Sequence, residues 1–221
     1  MRGPYSAAVP EFFEEIMQTR WPEQVWKVVL RTAQKFGFSA ISYVHLPPLG
    51  AADQDQVLVA AHGYPDDWVT AYIRDKRYRD DPFLARAVAT TDPFFWKDAE
   101  SRLKLRPPEK AFLEELTHLD LGSGMSFQNF GPQNRLGYST VVIGKGADKP
   151  SSIEINALQW MFQTAHNRYC KMLYNSQGQL PDLSEREREI LAWVARGKSN
   201  SVIADIVGLS TRTVDAYVRR I

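Results

Sequence analysis

The feature that most constrains the fold is the stretch NSQGQLPD, residues 175–182. It is polar, holds one Gly and one Pro, and follows the longest helical pattern in the sequence. Such a segment stops a helix and has linker composition. The chain is therefore expected to form a domain over 1–174, a linker over 175–182 and a second domain over 183–221. A length of 221 residues is within the range for two domains.

Charge and cysteine content exclude several classes. Lys and Arg total 27 against 26 for Asp and Glu, a net charge of +1. That excludes a strongly basic coat protein and an acidic tail, but leaves room for a small DNA-reading module. One cysteine, Cys170, excludes an internal disulfide framework and a zinc site built on cysteines. No apolar run approaches the roughly 18 residues of a membrane span, and the N-terminus has no apolar signal core. The expectation is a soluble, reduced, cytoplasmic protein with no membrane partner.

Hydrophobic periodicity outlines the first domain. Phe12, Phe13, Ile16 and Met17 predict one helix. Val25, Trp26, Val29, Leu30, Ala33 and Phe36 predict a second, stopped by Gly37. SAISYVHL reads as a strand that turns at Pro47, Pro48 and Gly50, with QVLVAAHG, residues 56–63, as its partner. Residues 107–119 read as a helix. MSFQNFG and LGYSTVVIGK read as strands joined by PQN. Residues 150–174 form the strongest helix: Ser151 and Glu154 make a capping box, and Ile155, Leu158, Met161, Phe162, Ala165, Tyr169 and Met172 a stripe.

In the second domain Ser184 and Glu187 form another capping box, and Ile190, Leu191 and Val194 share a face. Gly197 ends that helix. A short helix with Ile203, Ala204 and Val207 follows; Gly208 turns the chain, and Ser210 caps a helix holding Val214 and Val218. Helix, Gly-containing turn and helix form the helix-turn-helix pattern, whose second helix enters the major groove. A generic three-helix unit would show the same outline. More specific is Leu183-Ser184 with Arg186-Glu187, then Glu189-Ile190-Leu191, Ala195, Gly197-Lys198-Ser199-Asn200, Ile203-Ala204, Gly208-Leu209-Ser210 and Thr213-Val214. This stretch resembles the DNA-binding domain of the LuxR family of transcription regulators.

The resemblance implies that Lys198, Ser199 and Asn200 sit at a helix N-terminus suited to phosphate. It implies that Thr211, Arg212, Asp215 and Arg219 lie toward the groove, where Arg can read guanine. Val202 replaces the family's usual Glu, and Tyr217 its frequent His or Asn. The sequence ends at Ile221, inside the third helix, so the family's fourth helix is expected to be absent and the domain C-terminally incomplete.

The first domain resembles the autoinducer-binding domain of quorum-sensing receptors, on Tyr64-Pro65, Trp68, Tyr72, Asp81-Pro82, Pro93-Phe94-Phe95-Trp96, Gly122, Gly124 and Leu136-Gly137. That resemblance implies an N-acyl homoserine lactone ligand. Trp68 would donate to the lactone carbonyl, Asp81 accept the ligand amide N–H, and Tyr64 donate to the acyl carbonyl with support from Thr140. Tyr72 and Trp96 would wall the ligand; Phe83, Ser126 and Tyr138 would shape the acyl pocket. The assignment is chemically coherent: Trp N–H only donates, an ionised carboxylate only accepts, and a Tyr hydroxyl can donate. Taken singly, Trp68, Tyr72 and Trp96 read as core aromatics and Asp81 as a turn or cap residue.

His45, His62, His118 and His166 are scattered without ligand spacing, and a lone helical cysteine is usually a packed side chain. No metal, cofactor or catalytic set is expected. The fold class is α+β: an αβα-sandwich ligand-binding domain plus an all-α helix-turn-helix domain. The expected function is a quorum-sensing regulator that binds an N-acyl homoserine lactone and, as a homodimer through the 150–174 helix, double-stranded promoter DNA. The alternative is a truncated receptor that inhibits a full-length relative by binding ligand or pairing with it. An enzyme acting on lactones has no evident nucleophile.

Overall fold

The computed structural model describes residues 4–48, 51, 53–100, 104–177 and 183–220. Two compact units emerge, Met1–Tyr174 and Asn175–Ile221. The first opens with α1 (Pro4–Gln18) and α2 (Pro22–Lys35), followed by strands β1 (Phe38–Leu46) and β2 (Leu58–His62). Next come α3 (Asp66–Arg74), α4 (Pro82–Val88), β3 (Phe94–Phe95), α5 (Trp96–Glu100) and α6 (Pro107–His118). Strands β4 (Ser123–Phe130) and β5 (Leu136–Ile143) precede the long α7 (Ser152–Gln177).

The five strands form one antiparallel sheet in the order β2-β1-β5-β4-β3. Side chains alternate across a strand, so each strand serves two cores. Ile41, Met125, Phe127, Val141 and Ile143 join α1, α2 and α7 through Phe12, Ile16, Val25, Val29, Leu158 and Phe162. Val44 and Tyr138 face the other way, onto Tyr72, Phe83, Phe112 and Leu116. Helices therefore cover both faces, giving the expected αβα layering. Ser42 pairs with Thr140, and Thr140 with Ser126, which sets one polar row across the second face.

Most predicted elements appear with shifted ends. The Ser151–Glu154 capping box forms, with Ser151 N–H donating to Glu154 Oε2 at 2.8 Å. Phe12 and Ile16 are buried, but Met17, expected beside them, is 59% exposed. Helix α7 continues to Gln177, so residues 175–177, expected in the linker, are helical. Asn175, Ser176 and Gln177 tolerate a helix; the first breaker is Gly178. Residues 178–182 of the expected linker, Gly50 of the predicted turn and Ile221 lie outside the described residues.

The second unit holds α8 (Glu185–Ala195), α9 (Asn200–Val207) and α10 (Thr211–Arg220) around Ile190, Ile203, Ala204, Val207 and Val214. Gly208 has φ +67°, and its N–H closes α9 on the Ala204 carbonyl, a left-handed cap that glycine adopts without strain. Leu191 and Val194, grouped with Ile190 by periodicity, are exposed. The inward face instead runs through Glu187, Ile190 and Trp193, one turn apart. Glu187 accepts from Ser184 N–H and from Arg220, so the capping box also anchors the end of α10.

Candidate functional site

On the α3–α6 side of the sheet lies a cavity with about 410 Å³ of empty space, partly open to solvent. Tyr64, Trp68, Tyr72, Asp81, Phe83, Trp96, Tyr138 and Thr140 all line it. Ser126, also expected in the wall, does not. It is fully buried behind the wall, where its Oγ accepts from Trp96 Nε1 at 2.7 Å and sits 3.2 Å from Tyr138 Oη. Ser126 thus orients two wall residues. It stands on β4 in the polar row, paired in register with Phe94 of β3.

The aromatic wall is built by one helix. Tyr64, Trp68 and Tyr72 are spaced four apart, so they stack along α3 and the turn before it. Trp68 lies 5.4 Å from Tyr64 and 5.2 Å from Tyr72, both stacked. Phe83 and Trp96 stack at 5.3 Å with an interplanar angle of 6°. Gly124 makes room for the indole: a Cβ there would meet Trp96 at 2.1 Å.

Asp81 is the N-cap of α4, its Oδ1 accepting from Phe83 N–H at 2.9 Å and Leu84 N–H at 3.1 Å. Its Oδ2 accepts from the Tyr72 hydroxyl at 3.1 Å. Burial raises the carboxyl to about 6, against the opposing pull of those hydrogen bonds. At neutral pH it remains mostly ionised and acceptor-only. Tyr64 Oη and Ser42 Oγ flank Thr140 Oγ1 at 3.0 and 2.6 Å, forming a hydroxyl trio beside the cavity. Burial pushes the Tyr64 phenol up to about 12, so it stays protonated. Trp68 Nε1–H is shielded from solvent and has no hydrogen-bond partner. Leaving a buried donor unpaired costs about 1–3 kcal/mol, so a ligand acceptor here would be strongly favoured.

Periodicity alone missed several wall residues. Ser42 and Val44 on β1, and Val59 and Ala61 on β2, face the cavity by strand alternation. Phe112 and Leu116 face it one turn apart on α6. The alternation of SAISYVHL carries that signal once the face is known. The histidines read as scattered are not all so. His45, His166 and Cys170 converge within 4.8 Å of one another, all buried, on the opposite face of the sheet.

Those rings are already engaged. Arg135, held by Asp53 at 2.7 and 3.0 Å, can only donate, so His45 Nε2 accepts from it at 3.3 Å. His45 Nδ1–H then faces Tyr43 Oη at 3.5 Å. Tyr43 donates to His166 Nδ1 at 2.7 Å, and His166 Nε2–H donates to the Arg135 carbonyl at 3.2 Å. The tautomers follow from this ring of bonds. Burial lowers His45 to about 3 and His166 to about 4, and raises the Cys170 thiol to about 12. A neutral network bordered by a guanidinium is poor ground for a cation.

In the second unit, Lys198, Thr211, Arg212 and Arg219 are exposed, and Ser199 caps α9. Asn200 and Asp215, expected to face DNA, bond each other instead: Asn200 Nδ2 donates to Asp215 Oδ1 at 2.6 Å, tying α9 to α10.

Residues 22–169 match the family model described as an autoinducer binding domain. Residues 181–221 match the model for bacterial regulatory proteins of the luxR family. The transcriptional activator protein AnoR of Acinetobacter nosocomialis is 29% identical over 206 residues, covering 89% of this chain and 82% of AnoR. AhyR of Aeromonas hydrophila, also a transcriptional activator, is 23% identical over 217 residues, covering 96% of this chain and 82% of AhyR. Among solved structures, Escherichia coli SdiA superposes with a TM-score of 0.63 at 20% identity, covering 96% of this chain and 88% of that one. The N-acylhomoserine-lactone-dependent factor CepR2 of Burkholderia cenocepacia gives 0.55 at 16%, covering 77% and 95%. At these identities the superpositions speak for the fold.

Proposed function

Starting from a chain that belongs to the autoinducer-binding, LuxR-type family of bacterial transcriptional regulators, we propose that its cavity binds an N-acyl homoserine lactone. The family is one of regulators rather than enzymes. The observation that carries the proposal is the buried, unpaired Trp68 N–H in the same wall as the Asp81 carboxylate.

A homoserine lactone amide offers one N–H and two carbonyls on an apolar body. Trp68 supplies a donor for one carbonyl, and the Tyr64–Thr140–Ser42 hydroxyls a donor for the other. Asp81 accepts the N–H, beside the Tyr72 hydroxyl already on its Oδ2. Tyr72, Phe83, Trp96 and Tyr138 close around the rest. A ligand enclosed this way stabilises the folded state by RT ln(1 + [L]/Kd), about 2.7 kcal/mol at a hundredfold excess over Kd. The same linkage makes the amount of folded regulator respond to ligand.

The output side of the proposal is duplex promoter DNA. Lys198 and Ser199 meet phosphate at the N-terminus of α9, and Thr211, Arg212 and Arg219 reach into the groove from α10. Homodimerisation is part of the proposal: Ile153 and Trp160, seven apart on α7, are 62% and 67% exposed, an apolar face suited to a twin helix. The test is co-purification: protein expressed with a panel of acyl homoserine lactones is extracted and analysed by mass spectrometry. One retained lactone, absent from an Asp81→Ala variant, supports the reading. A soluble wild type that retains none removes it.

A further inference from the structure

The sheet carries a second cavity, back to back with the first. Strand alternation separates the two: Ser42, Val44, Val59 and Ala61 face the first, whereas Tyr43, Leu58 and Ala60 face the second. The second has about 420 Å³ of empty space, partly open to solvent, as large as the first. It lies between β1 and β2 and the helices α2 and α7.

Its origin is visible in the packing. Trp26, Tyr43 and Tyr169 hold the layers apart, while Ala60 and Ala165 leave the space between them unfilled. Ordinary protein cores keep few voids larger than a water molecule. The space here exceeds a single water molecule and is bordered by aromatic rings. Two of its polar wall residues are already engaged: Tyr43 donates to His166 Nδ1, and His166 Nε2–H to the Arg135 carbonyl. With those two groups engaged, the rest of the wall is mainly apolar and aromatic, which favours an apolar occupant.

We propose that this cavity is a second binding site, for a small uncharged and mostly hydrocarbon molecule with a flat ring. The three aromatic walls favour stacking or edge contact with such a ring. Tyr43 lies between Ser42 and Val44 on β1, so an occupant here touches the strand that walls the lactone cavity. Occupancy of the two sites is expected to be coupled through β1, with each ligand altering the affinity of the other by the same factor.

The test is titration of the full chain with indole and with naphthalene, followed by calorimetry and by ligand-observed NMR. Three proteins are compared: wild type, Trp68→Phe and Ala165→Phe. The expected result is saturable one-to-one binding to wild type and to Trp68→Phe, with at least a tenfold loss in Ala165→Phe. Ala60→Leu fills the same space from the strand and provides the comparison if Ala165→Phe fails to fold. Binding lost in Trp68→Phe would place the ring in the first cavity and overturn the proposal. Absence of saturable binding to a folded wild type would overturn it as well, leaving the lactone reading untouched.

Discussion

The Tyr72 hydroxyl donates to Asp81 Oδ2 across 3.1 Å, tying α3 to the first turn of α4. Asp81 is therefore both a structural cap and, among the described residues, the one carboxylate in the cavity wall. Its two oxygens divide the work. Oδ1 serves the Phe83 and Leu84 N–H groups, and Oδ2 faces Tyr72.

Asp81→Asn separates those roles. An Asn carbonyl still caps a helix well, so the melting temperature of the free protein should change little. The amide cannot match an ionised acceptor for a ligand N–H. Lactone affinity should fall on the order of tenfold or more, read by calorimetric titration beside thermal melts of both proteins.

Acid should act on one carboxyl and two histidines in opposite directions. The Asp81 carboxyl is raised to about 6, so its contribution favours the fold at low pH and is lost as pH rises from about 4 through 6. His45 and His166 are lowered to about 3 and 4, so their contribution is present above about 6.5 and is lost as pH falls. Two histidines outweigh one carboxyl. Chemical denaturation should show a net loss of about 1–3 kcal/mol between pH 6.5 and 5, and His45→Gln should flatten that slope. Lactone affinity should also fall below pH 6, where Asp81 gains its proton.

Gly124→Ala would place a methyl 2.1 Å from the Trp96 indole. If the indole yields, Trp96 leaves the Phe83 stack and its bond to Ser126. Overpacking of this kind costs about 1–3 kcal/mol. The expected outcome is a lowered melting temperature together with altered Trp fluorescence. An unchanged spectrum would mean the strand yields instead of the indole.

In the second unit, Asp215→Ala removes the tie to Asn200 and should lower that unit's stability by about 1 kcal/mol. Arg212→Ala, at an exposed position, should leave melting unchanged and weaken binding to duplex DNA. Measuring both variants by melting and by DNA titration distinguishes a packing residue from a contact residue.

Local signals were legible in the sequence where one residue sufficed to state them. Ser151 and Glu154 read as a capping box and form one; Asp81 before Pro82, taken singly, reads as a turn or cap residue, and the structure makes it a cap. Tyr64, Trp68 and Tyr72 read singly as core aromatics, and only the family resemblance assigns them to a ligand; in the structure their four-residue spacing stacks the three rings. Ser126 reads as a residue that shapes the pocket; the structure has it hold Trp96 and Tyr138 from behind the wall, a contact that alternation alone does not reveal. The His45–His166–Cys170 cluster was illegible because the contact joins β1 to α7 across most of the domain. Leu191 and Val194 were grouped with Ile190 because in a short helix a one-residue rotation decides which apolar side chain reaches the core.

The most direct test is calorimetric titration of wild type and Trp68→Phe with a panel of N-acyl homoserine lactones. Phenylalanine keeps an aromatic ring between Tyr64 and Tyr72 and removes the unpaired N–H together with part of the indole volume, so thermal melts of the free proteins accompany the titration. The expected result is one-to-one binding of a lactone by wild type and binding on the order of tenfold weaker by the variant. Equal affinity in the two proteins would contradict the role given to Trp68. A folded wild type that binds no lactone would contradict the receptor itself.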